Sequence, residues 1–187
     1  RLAMFAVLRS SWALLLGILL LMIGNGLQGT LLGVRGNIEG FDPALLSYVI
    51  SAYFIGFLGG SKMAPGLIRR VGHVRVFAAM ASMISAAFIL YAAAPNLLAW
   101  AFLRFLVGFC FSCVYVVAES WLNNAADNDN RGKALSLYMI VQMVGIVSAQ
   151  AVLLVGDPSG YETFVIASVL ISVSFAPILL SISPTPA

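Results

Sequence analysis

The stretch Leu97–Leu122, LLAWAFLRFLVGFCFSCVYVVAESWL, carries only two charges, Arg104 and Glu119. Crossing the hydrocarbon core of a bilayer takes roughly 20 apolar residues in a helix. Lipid offers the backbone no hydrogen-bond partners, so such a segment is helical or belongs to a closed barrel. The stretch has no apolar/polar alternation, which argues against a barrel. Working outward, residues 10–34, 43–61, 76–103, 134–156 and 163–187 contain no Asp, Glu, Lys or Arg. Six spans follow: Ser11–Leu32, Ala44–Ser61, Val76–Ala94, Leu97–Leu122, Gly132–Val155 and Thr163–Ile182. The first run is too long for a secretory signal, and no small-residue cleavage pattern follows it.

Composition agrees. The 187 residues are 61% hydrophobic and 9% charged, against about 25% charged in soluble domains. This excludes an ordinary soluble enzyme, a disordered chain and a disulfide-rich module. A net charge of +3 is too small and dispersed for nucleic-acid binding. The fold class is therefore all-α and membrane-integral, in a single unit over residues 1–187. Six spans put both termini on one side. Arg1, Arg9, Lys62, Arg69, Arg70, Arg75, Arg131 and Lys133 share that side, and only Arg35 lies in a loop opposite. Cations accumulate on the cytoplasmic face, so both termini are expected there. The absence of an initiator Met and the ending Ser183-Pro-Thr-Pro-Ala187 suggest a longer chain, with a linker starting at 183–187.

Several residues could carry chemistry. Arg104, Gly108, Ser112, Tyr115 and Glu119 recur at helical spacing and form one stripe. An intramembrane Arg is expensive and marks a functional site by default. It lies about 10 Å from Leu97 at 1.5 Å per residue, so it either snorkels outward or faces the bundle interior. Asn25 and Gln28, three apart, share an inward face, as an interhelical hydrogen bond or as the wall of a solute cavity. Gly29/Gly33 and Gly56/Gly60 are small-xxx-small pairs suited to close helix contacts. Gly24-Asn-Gly-Leu-Gln-Gly29 imitates a dinucleotide fingerprint but sits inside a span, without the strand that fingerprint requires. Cys110 and Cys113 read as buried small hydrophobes. The segment Lys62–Arg75 reads as a short basic loop with His73 near the surface. Its cations could anchor the inner face or latch onto Glu119 or Asp127. No P-loop or zincin motif occurs in the chain and no Ser-His pair is read within the spans, so neither an enzyme nor a cofactor or metal is expected.

Three further motifs carry a resemblance. Pro65-Gly-Leu-Ile-Arg-Arg-Val-Gly-His-Val-Arg75, Arg104-Phe-Leu-Val-Gly108 and Arg131-Gly132 occur in this order. They resemble the loop between helices two and three, the start of helix four and the Arg-Gly pair before helix five of the Major Facilitator Superfamily. The loop departs from the family pattern. Arg69 stands where an Asp is usual, and Pro65 where a Gly is usual. Gly72-His-Val-Arg75 and Ala118-Glu-Ser-Trp-Leu-Asn123 are similar to its YcaD-like bacterial branch.

The resemblance implies the N-terminal six-helix half of a secondary transporter, built from two inverted three-helix repeats, in a bacterial inner (plasma) membrane. Its partners would be the lipid bilayer, a small-molecule substrate and either a C-terminal half or a second copy. Asn25, Gln28, Arg104 and Tyr115 would face the central cavity. Arg69, Arg70, Arg75 and Glu119 would form the cytoplasmic gate. The rival expectation is a six-helix scaffold without transport. It requires Arg104 to be paired inside the protein and no polar central face.

Overall fold

The computed structural model describes residues 2–156 and 161–180. The expected linker start, Arg1 and most of the Gly156–Glu162 loop lie outside these residues. The elements are α1 (Leu2–Ile38), α2 (Pro43–Val71), α3 (His73–Ala93), α4 (Leu97–Ala125), α5 (Arg131–Val155), α6 (Glu162–Ser172) and α7 (Ala176–Leu180). Six stretches are long and apolar enough to cross a membrane, α6 and α7 counting together. All six expected spans are present.

Local chemistry sets the helix starts. Asp42 caps α2 by accepting the Ala44 N–H at 3.0 Å, with Pro43 at the first helical position, where its missing N–H costs nothing. Asn96 caps α4 by accepting the Ala99 N–H at 3.0 Å.

Two boundaries differ from the sequence reading. The segment read as a basic loop is helical: α2 runs through Pro65 to Val71, and α3 starts at His73. The whole connection is Gly72, with φ of 90°, a conformation that glycine adopts without a Cβ clash. The sixth span is broken at residues 173–175. Pro177 cannot donate to the Val173 carbonyl and its ring crowds it. The chain instead closes a tight turn, with Ala176 N on Val173 O at 3.2 Å.

The packing has an internal symmetry. α1 packs on α5 and α2 on α4; α3 packs on α4, and α1 on α6 and α7; α3 and α6 pack on each other. Exchanging α1–α3 with α4–α7 maps this set onto itself, as inverted repeats require. The central elements α1 and α4 are mostly buried, whereas α2 and α5 keep most of their length exposed. Small residues line both equivalent seams. A methyl group at Gly56 or Gly60 would overlap the Phe105 or Phe109 carbonyl, and one at Gly108 the Tyr53 carbonyl. Across α1 and α5, Gly26 meets the Ala149 Cβ and Gly145 the Met22 Cβ. Gly24 packs against Ile171, so two of the three glycines of the dinucleotide-like stretch, Gly24 and Gly26, serve helix contacts. Gly56/Gly60 pack as expected, but Gly29/Gly33 do not: a Cβ at either meets no atom within 4 Å. Their spacing permits a close contact, but no described neighbour crosses there. Between α3 and α6, Ser85 Oγ and Ser168 Oγ lie 2.9 Å apart and Ser172 joins them, a polar cross-link inside an apolar bundle.

Candidate functional site

The site is assembled around α4. On α1, Gln28 Nε2 donates to Asn25 Oδ1 at 2.8 Å. Asn25 Nδ2 donates to the Tyr115 hydroxyl at 3.3 Å, and that hydroxyl donates to Met22 Sδ at 3.4 Å. The spacing of three puts both amides on one face, and α4 supplies the partner. Gln28 is 3% exposed, and its Oε1 has no hydrogen bond. A buried acceptor left open in this way is costly.

Arg104 lies beside this chain, 5% exposed. It neither snorkels nor opens into water. Its Nε donates to the Ile50 carbonyl on α2 at 3.0 Å, and its guanidinium sits 4.5 Å from the centre of the Tyr53 ring. A desolvated cation over an aromatic face is held more strongly than an exposed one. Tyr53 was not singled out in the sequence, although it lies three residues before Gly56, on the face that meets α4. Phe57 and Phe111 flank Tyr53, with ring centres 6.0 and 6.4 Å away. Both also flank Tyr115, at 5.8 and 6.3 Å. An aromatic patch therefore joins the amide chain to the arginine.

The α4 stripe meets different neighbours at different heights. Gly108 and Ser112 press on α2, and Tyr115 reaches α1. Glu119 lines a cavity of about 820 Å³ between α4 and α5, with Ser120, Tyr138 and Gln142. Crossing helices change partners along their length, so one stripe need not face one space.

At the end of the bundle that carries most of the cations, Arg69, Arg70, Arg75 and Glu119 are all exposed. No ion pair joins Glu119 to these arginines among the described residues. Asp127 is engaged locally: its carboxylate accepts the Asp129 and Asn130 backbone N–H groups, each at 3.0 Å. Arg131 binds Asn128 Oδ1 at 2.9 Å in the same turn. His73 is 4% exposed, not superficial as expected. Because α3 begins at His73, its ring is carried inward, where Nε2 and Ser120 Oγ share a hydrogen bond of 3.0 Å beside Trp121. Cys110 and Cys113 are free and buried, in keeping with their packing role.

A six-helix bundle with this exchange symmetry and internal polar groups defines a multi-pass membrane protein of the inverted-repeat class. The family model of the Major Facilitator Superfamily matches residues 14–187, and the chain belongs to that superfamily. It is 30% identical over 160 residues to the uncharacterized MFS-type transporter YcaD of Salmonella paratyphi A, covering 84% of this chain and 41% of that protein. An uncharacterized MFS-type transporter of Enterobacter sp. (strain 638) is 31% identical over 137 residues, 73% of this chain and 36% of the relative. The chain thus spans about two-fifths of the length of the curated relatives it matches.

Proposed function

We propose that the chain is the N-terminal half of a secondary transporter that moves a small solute by alternating access. Its setting would be the inner (plasma) membrane, with both termini cytoplasmic. The observation that carries this is the polar chain Gln28–Asn25–Tyr115 across the two most central helices, with an open acceptor on Gln28. Spans one and four are equivalent members of the inverted repeats, and transporters of this construction bind solute at the interface of such repeats near mid-membrane. In this reading Asn25, Gln28 and Tyr115 offer hydrogen bonds to the solute. Arg104 supplies positive potential from behind the aromatic patch. The halves then rock about the site. Arg69, Arg70, Arg75 and Glu119 form the cytoplasmic gate, with an ion pair forming when the inner side closes.

The test uses the full natural chain in proteoliposomes and counterflow of a panel of labelled solutes. Arg104→Ala and Gln28→Ala are expected to abolish counterflow of the transported solute while leaving membrane insertion intact. Full counterflow by both variants sinks the assigned site. For the gate, Glu119→Lys is expected to raise labelling of a cysteine at Gln142 from the inner side; unchanged labelling sinks the latch.

One observation favours the scaffold reading instead. Arg104 has partners inside the half, the Ile50 carbonyl and the Tyr53 ring, as a purely structural cation would. Absence of counterflow for every solute, with normal folding, would establish that alternative.

A further inference from the structure

We infer that the groove between α4 and α5 is a binding site for an amphipathic organic cation, with Glu119 as its counter-ion. This rests on the transport reading and deepens it by naming a ligand class. The groove, of about 820 Å³, falls within the range of small-molecule sites, roughly 300–1,000 Å³. Its walls are largely apolar, with Met139, Met143 and Ile146 from α5 opposite Val116 from α4. Thioethers are polarisable and adapt to varied apolar shapes.

Five polar side chains, Glu119, Ser120, Asn123, Tyr138 and Gln142, line the groove beside this apolar wall. Glu119 is exposed in the groove and has no ion pair among the described residues. Arg131, the cation that opens α5, is engaged by Asn128 and by the Asn123 and Ala126 carbonyls. Tyr138 is 3% exposed, lines the groove, and its hydroxyl has no hydrogen bond. Gln142 adds an amide one turn further along α5.

The chemistry of these groups selects the ligand. A single carboxylate repels anions and attracts cations. A small hydrated cation could meet the oxygens of the groove but would leave the Met wall uncovered, gaining nothing from that apolar area. A cation whose charge is carried on an apolar body loses little water and buries that body on the Met wall. Tyr138 can contribute both a hydrogen bond and an aromatic face to it. In the gate reading, Glu119 pairs with arginine when the inner side closes; in the open groove it faces the ligand.

The test is equilibrium binding of tetraphenylphosphonium to the purified full natural chain, with neutral triphenylphosphine oxide as comparison. Glu119→Gln is expected to weaken tetraphenylphosphonium binding by roughly tenfold or more, as for loss of one charge-assisted contact. It is expected to leave triphenylphosphine oxide binding and the melting temperature unchanged, and Glu119→Asp is expected to retain cation binding. Ile146→Trp, which fills the groove, is expected to abolish binding of both compounds. Unchanged tetraphenylphosphonium affinity in Glu119→Gln, or an equal loss for both compounds, overturns the proposal. Binding needs no vectorial movement, so the two readings fail separately. Cation binding without counterflow sinks transport and leaves the site. Counterflow without cation binding sinks the site and leaves transport.

Discussion

Gly108 and Gly29 are the same residue in the same kind of apolar helix, yet a methyl group would meet very different surroundings at the two positions. At Gly108 it would strike the Tyr53 carbonyl, and at Gly29 it would meet nothing within 4 Å. Backbone cannot move aside as a side-chain tip can, so overpacking there is costly. Gly108→Ala is expected to destabilise the protein by about 1–3 kcal/mol. Gly29→Ala, inside α1 with open space for its methyl group, is expected to be neutral or stabilising by up to about 1 kcal/mol. Thermal unfolding of the two variants in detergent checks the difference, and equal melting temperatures would refute the α2–α4 seam. Arg104 makes a related point. Its position in a span marked it as expensive and as a candidate functional residue, and internal pairing was the expectation of the scaffold reading. The partners, Ile50 O and the Tyr53 ring, were not legible, because a carbonyl carries no sequence signature and Tyr53 lies 51 positions earlier.

At the scale of elements, hydropathy located all six spans but not their ends. It reports where lipid touches the chain, whereas a helix ends where its hydrogen bonds end. The basic segment after Ser61 leaves the apolar run and yet remains helical to Val71. The chain turns only at Gly72, the first position with positive φ after α2 begins. Gly72→Ala therefore places a Cβ in a backbone conformation that L residues rarely adopt, at an expected cost of about 1 kcal/mol or more. Amide hydrogen exchange around Ile68–Val76 is expected to accelerate in that variant; unchanged protection would refute a strained joint. The break in the sixth span was legible in principle, since Pro177 removes a helix hydrogen bond. Uncharged, apolar flanks concealed it.

For the whole molecule, the asymmetry of the charges makes a definite topological statement. A cysteine at Pro95, in the α3–α4 turn, is expected to react with a membrane-impermeant maleimide in intact cells. One at Asp129, in the α4–α5 turn, is expected to react only after permeabilisation. Cys110 and Cys113 are buried and should give little background. The reverse pattern would invert the assignment of inner and outer faces, and with it the gate.

The sequence by itself determined the class of protein: six helices, a membrane environment, an expected orientation and membership in a transporter-like family. The first three follow from the positions of charges in an apolar chain, because burying a charge in lipid is expensive wherever it occurs; the family came from the resemblance of its motifs. Except where the amides Asn25 and Gln28 marked it on α1, which face of each helix turns inward was decided by the tertiary structure. In water, core and surface differ in polarity, so periodicity betrays the inner face; in lipid, both are apolar and that signal vanishes. Thus Gly56/Gly60 and Gly29/Gly33 had the same spacing and opposite fates. The α4 stripe divided among α2, α1 and the groove beside α5, bringing Tyr138 and Gln142 to Glu119.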